Sequence, residues 1–264
     1  MRRSTRSVRI LVICWRAAVS SELEYRLHFI SNVLLSIFWM LWAAAGASVY
    51  FRFRGEVAGW THAEVLVVIG LFFTINGLRQ ALLQPNLDRM DEHVRRGPLD
   101  FLLTKPFDAQ LLVSLRHLSV NNLLDPLLGL TLAGVGLALS AHGVSVGALA
   151  AFLLLLVSAV LLLYALTLAL MAAAVILMAA EELGQISFSV VELARFPVQL
   201  YRNPVQSVLT FVPVAFLTTL PAEALLGRLD GHLLVLAPVV SIAAVVLATL
   251  AWRRSLRSYT GASA

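Results

Sequence analysis

Residues 126–180 read PLLGLTLAGVGLALSAHGVSVGALAAFLLLLVSAVLLLYALTLALMAAAVILMAA, 55 positions without one Asp, Glu, Lys or Arg. A helix rises about 1.5 Å per residue and the hydrocarbon core of a bilayer is about 30 Å thick, so about 20 apolar residues cross it. The run is too long for one crossing and suits two. Ser140-Ala-His-Gly-Val-Ser145 lies between them, and its Gly and Ser favour a turn. The run is continuous and does not alternate, so the crossings are helices and not barrel strands.

The same pattern extends outward. Residues 27–51 carry no charge, and residues 61–83 carry only Glu64 and Arg79. With 118–140, 147–179, 205–228 and 232–252, six membrane-spanning helices are expected in a single transmembrane domain covering 1–264. The 264 residues are 59% hydrophobic and 13% charged, with a mean hydropathy of +0.85. That composition excludes a soluble domain and places the chain among all-α integral membrane proteins. The single cysteine, Cys14, excludes an intramolecular disulfide and a cysteine metal site, and reads as a packed thiol.

Orientation follows from the basic residues. With the N-terminus cytoplasmic, 17 of the 20 Lys and Arg fall inside and only Arg52, Arg54 and Arg228 fall outside. The positive-inside rule therefore places both termini in the cytoplasm. The excess of positive charge marks these flanks and not a nucleic-acid partner. The N-terminus is not expected to be a secretory signal, because Arg16 breaks the apolar run Ile10–Trp15 too early.

Residues 8–26 are amphipathic. Val8, Leu11, Val12, Trp15, Val19 and Leu23 share one helical face, and Arg9, Arg16, Ser20 and Glu24 the other. The pattern predicts a helix lying in the interface before the first span, with Glu22 and Arg26 spaced to pair. An ordinary basic flank is the alternative. In the fifth span, Pro213 and Pro221 bracket VAFLTTL, and Glu223 follows. Proline removes a backbone donor and kinks a helix. A broken or re-entrant helix pair is expected near the outer face, with Pro213, Phe216, Pro221 and Glu223 as a candidate outer gate. A simple kinked helix with a short loop is the other reading.

Catalytic and metal patterns are missing. The six His are scattered at 28, 62, 93, 117, 142 and 232, with no HExxH, and neither a Walker GxxxxGK[ST] nor a GxSxG occurs. An intramembrane enzyme is therefore disfavoured. Arg79 and Asp125 stand out as ionisable groups within spans two and three. They are a candidate ion pair, with snorkelling of each to the interface as the alternative.

Charge concentrates instead in 88–108, DRMDEHVRRGPLDFLLTKPFD, with nine charged residues in 21 positions. Gly97-Pro98 suits the end of one helix and the start of another. Lys105-Pro106 stops the short helix Leu99–Thr104, and Asp108 suits an N-cap leading toward span three. A short helix tipped by Leu99, Phe101, Leu102 and Leu103, with charge on either side, suits docking into a protein groove. A solvated connecting loop is the plainer alternative.

The run EHVRRGPLDFLLTKPFDAQLL followed by NNLLDPLLGL resembles the type-2 ABC exporter permeases, specifically the small six-span branch with an RRGxLDxxLxKP loop. ELEYRLHFISNVL resembles the interfacial elbow of that family, and RFPVQLY and FVPVAFLTTLPAEALLG resemble its stretch around span five. The resemblance covers nearly the whole chain and is most specific at Arg95–Pro106. It implies a non-enzymatic transmembrane subunit in the inner (plasma) membrane of a bacterial cell. The cytoplasmic loop 84–117 would hold a coupling helix seated on a separate ABC ATP-binding subunit. Glu92, Arg95, Arg96, Gly97, Pro98, Leu99, Asp100, Phe101, Leu102, Leu103, Lys105 and Pro106 would form that contact. ATP and Mg would be bound by the partner and no cofactor by this chain. A second permease copy, identical or related, would complete the unit beside membrane lipid. The sparse charge fits an amphiphilic, lipid-like or drug-like cargo. A membrane scaffold that recruits a cytoplasmic partner through 88–108 without transport is the competing reading.

Overall fold

The computed structural model describes residues 2–22, 26–53, 55–90, 92, 108–140, 143–177, 179–201 and 214–258. Helix α1 (Arg2–Glu22) precedes α2 (Arg26–Phe51). On α1, Leu11 is buried and Arg9, Arg16 and Ser20 are exposed, but Val12 of the expected apolar face is exposed as well. Trp15 anchors it by donating its indole N–H to the Leu115 carbonyl at 2.8 Å. The side chains of Glu22 and Arg26 lie outside the described residues.

A two-stranded hairpin, β1 (Glu56–Val57) and β2 (Trp60–Thr61), separates α2 from α3 (His62–Leu78). Val57 pairs with Trp60 across a two-residue turn. Ala58 and Gly59 both have positive φ, at 51° and 81°, the backbone that a tight hairpin of matching twist requires. Thr61 then caps α3. Its side chain accepts from the Glu64 amide, and the Glu64 carboxylate accepts from the Thr61 amide at 2.8 Å, a reciprocal capping box.

Helix α3 continues through a π-helical turn, Arg79–Leu83, into α4 (Gln84–Leu87). A short helix α5 (Ala109–Leu115) leads by way of a 3₁₀ turn at Val120–Asn122 to α6 (Asp125–Leu139). Helices α3 and α6 run antiparallel with their backbones almost touching. A Cβ placed on Gly129 would lie 2.5 Å from the Gly70 carbonyl oxygen, and one on Gly136 would lie 2.7 Å from that of Ala63. Small residues permit this approach, which is how helices associate in lipid, where burial of apolar surface gives no net drive.

The two longest helices are α7 (Val146–Leu177) and α10 (Gly231–Ser258). They pack along their length and run in the same direction. Phe152 and Leu155 cluster with Leu233 and Ala237, whereas Met171 and Val175 cluster with Trp252 and Leu256. The end of α7 and the start of α10 are thus at opposite ends of the bundle, and residues 178–230 carry the chain back across its height.

Among the described residues five helices are long and apolar enough to cross a membrane: Leu27–Phe51, His62–Leu87, Val120–Leu139, Val146–Leu177 and Gly231–Arg257. The expected sixth, at 205–228, is not one of them. Residues 202–213, Pro213 included, lie outside the described part. The remainder forms a 3₁₀ turn, Val214–Phe216, and the seven-residue helix α9 (Thr219–Leu225). Pro221 sits in the first turn of α9, where its missing N–H costs no helical bond, and does not kink a longer helix.

The stretch 180–204, expected from its charges to be a cytoplasmic segment, is largely helical. Residues 180–192 form helix α8 (Ala180–Glu192), and the chain lies along span two. Gly184 adjoins Gln84 and Asp88, Arg79 stands 5.7 Å over the Phe188 ring, and Arg195 stands 5.0 Å over the Phe72 ring. Contact therefore climbs from the Asp88 end of the His62–Leu87 helix to its middle. Glu181, Glu182, Glu192 and Arg195 hid this helix by breaking the apolar run.

Candidate functional site

The charged connection between spans two and three is held on a rigid base. Pro85 has no N–H, so the carbonyl four residues earlier, at Ala81, loses its helical donor. Ser119 fills the gap with its backbone N–H at 2.9 Å. The Asn86 side chain bridges to the same strand of loop: its Nδ2 donates to the His117 carbonyl and its Oδ1 accepts from the His117 amide, both at 2.8 Å. Asp108 caps α5 by accepting from the Leu111 amide at 3.3 Å, as the sequence suggested. The helix ends at Leu115, though, and does not run on into span three. Gln110 on α5 donates to the Tyr164 hydroxyl at 3.1 Å and to the Thr249 hydroxyl at 3.2 Å. The base of the connection is thereby tied to α7 and α10.

Of the residues proposed for docking, Glu92 is helical and exposed. Arg95, Arg96, Gly97, Pro98, Leu99, Asp100, Phe101, Leu102, Leu103, Lys105 and Pro106 lie outside the described residues.

The expected Arg79–Asp125 pair is not formed. Arg79 donates through Nε to Asn76 Oδ1 at 3.1 Å and through its terminal nitrogen to Gln84. It sits at the start of the π turn with its aliphatic stem buried. Asp125 faces another way: it packs on Gly77, it shares the wall of a cavity with Ser36 of α2, and its Oδ1 is buried without a partner. The two groups flank the same helix but turn to different neighbours.

Between α2, α3, the start of α6 and α8 lies a cavity of about 440 Å³. Asp125, Glu192 and Arg195 contribute its charge, and Glu192 and Arg195 are paired with each other. Trp39, Phe72, Phe73 and Phe188 contribute aromatic wall. Of these residues only Asp125 was singled out by the sequence. The others come from three segments far apart in the chain and share no motif.

At the opposite end of α3, Glu64 is fully buried and ion-paired with Arg228, which also donates to the Gly59 carbonyl at 2.8 Å. Glu223 accepts from the Gln199 side chain at 2.9 Å. Phe216 packs among core residues of α3 and α7. Among the described residues no group of three His, Cys, Asp or Glu is placed to hold a metal ion.

The sequence pattern of the ABC-2 family transporter proteins matches residues 35–263. The chain belongs to the ABC-2 transporter family. It is a multi-pass membrane component of that family, whose permeases are generally non-catalytic and typically pair with an ATP-binding subunit. Neither a curated protein nor a solved structure matched the chain.

Proposed function

We propose that this ABC-2 permease is the membrane half of an ATP-driven exporter that moves an amphiphilic, lipid-like or drug-like compound outward. A separate ATPase docks on residues 92–106, and two permease copies, identical or related, form the working unit. The observation that carries this reading is the base of the 88–119 connection. A loop that only joins two helices needs no brace, whereas this one is clamped to span two through Ala81 and Asn86 and tied to α7 and α10 through Gln110. Such bracing suits a segment that receives force.

Residues 180–225 serve as the fifth membrane element in this reading, one rising arm followed by short helices that turn back near the outer face. The same-direction packing of α7 and α10 supports it, as does the climb of α8 along α3. Both termini are then cytoplasmic, in agreement with the distribution of Lys and Arg. The inner membrane of a bacterial cell is the proposed location.

The decisive experiment is a pull-down of the ATP-binding subunit. Phe101→Ala and Leu102→Asp should each weaken association and leave membrane insertion intact. Unchanged capture by both variants would remove the docking assignment.

A further inference from the structure

The cavity between α2, α3, α6 and α8 contains one acid without an ion-pair partner among the described residues, Asp125 in the first turn of α6. Glu192 is paired with Arg195. Arg79 is taken up by Asn76, Gln84 and the Phe188 face. Asp125 lines the cavity, is 6% exposed, and has a buried Oδ1 with no hydrogen-bond partner. The neutral Ser36 hydroxyl lines the same cavity. An ionisable group inside a span, here five residues from the start of Val120–Leu139, is a candidate for function, and an unpaired carboxylate attracts a cation.

The rest of the wall says what kind of cation. Trp39, Phe72, Phe73 and Phe188 border the same space; Phe72 and Phe188 already carry the Arg195 and Arg79 guanidinium groups on one face, which leaves Trp39 and Phe73 as the rings to attract ammonium-type charge and all four to cover an apolar body. A volume of about 440 Å³ is within the range of pockets that hold organic molecules, and far larger than a metal ion needs. Asn32, Asn76 and Gln80 add neutral polar groups to the lining.

We propose that this cavity binds an organic cation, with its charged group against Asp125 and its apolar body against Trp39 and the three phenylalanines. Calling that ligand the cargo rests on the permease reading, but the binding itself does not.

The test is equilibrium dialysis of tetraphenylphosphonium against the purified full chain in detergent, with no ATPase present. Tetraphenylborate, the same shape with opposite charge, is the matched control. Saturable binding of the phosphonium, absent for the borate, is expected. Asp125→Asn should weaken it at least about tenfold, the scale of a lost contact to a charged group. Trp39→Ala should also weaken it, and because Trp39 is 53% exposed this variant tests the site even where the Asp125 variant fails to fold. Equal affinity in wild type and both variants would overturn the proposal, as would equal binding of the borate. Displacement of the phosphonium by millimolar sodium but not potassium would also overturn it and make the site one for a metal ion. Failure of the ATPase pull-down would leave this result standing, and failure here would leave the docking assignment untouched.

Discussion

Ser119 donates its backbone N–H, at 2.9 Å, to the carbonyl of Ala81, the one group in span two that Pro85 deprives of a helical partner. Ser119→Pro deletes that donor and should cost about 1–3 kcal/mol, the penalty for an unsatisfied carbonyl. Pro85→Ala supplies a new amide four residues from Ala81. The double variant should therefore recover part of the loss in thermal unfolding in detergent. A double variant no more stable than Ser119→Pro alone would show that the bond carries no such load.

The contact of α3 with α6 depends on hydrogen in place of methyl at a few positions. Gly129→Ala drives a methyl to 2.5 Å from the Gly70 oxygen and should destabilise by about 1–3 kcal/mol, as overpacking does. A methyl added at Gly134 would meet nothing within 4 Å, so Gly134→Ala on the same helix should be neutral or slightly stabilising. Equal melting temperatures for the two variants would refute the close packing.

Glu64 is buried and depends on Arg228 for its counter-charge. Arg228→Ala should cost about 1–3 kcal/mol, below the range for a fully buried pair, because the Arg228 side chain is 36% exposed and the Thr61 amide still donates to Glu64. Adding Glu64→Gln to Arg228→Ala removes the stranded charge and should restore stability. Chemical unfolding of the two variants checks the sign of that change.

How much of this was legible in the sequence depends on how local the signal is. The uncharged run 126–180 announces α6 and α7 because hydropathy sums over neighbours in the chain. The cap at Asp108 was readable for the same reason, since its partner is three residues away. Helix α8 was not, because Glu192 and Arg195 count as two charges in a window average, although they neutralise each other in the fold. The cavity at Asp125 was invisible for a different reason: Trp39, Phe72 and Phe188 meet there only through tertiary packing. The Arg79–Asp125 pairing failed because Asn76 and Gln84, three and five residues from Arg79, are local partners that satisfy it first.

That failure has its own test. Exchanging the charges, Arg79→Asp with Asp125→Arg, should be no better tolerated than the worse single swap. Rescue of folding or expression by the double swap would reinstate the pair.

Gln110 reaches both Tyr164 and Thr249. Under the proposed function, Gln110→Leu should leave ATPase capture unchanged and lower substrate-stimulated ATP hydrolysis in reconstituted vesicles several-fold. Loss of capture together with stimulation would place Gln110 in the docking surface instead.

The glycine contact between α3 and α6 also has a mechanical meaning. Two helices whose backbones touch at Gly70 and Gly129, and at Ala63 and Gly136, have no soft side-chain layer between them to absorb displacement. Under the proposed function, the paired stretches from Ala63 to Gly77 and from Asp125 to Gly136 would move as one body. A tilt imposed at the Asp125 end would then be felt at the Thr61 end, where the Glu64–Arg228 pair and the Ala58–Gly59 turn are attached.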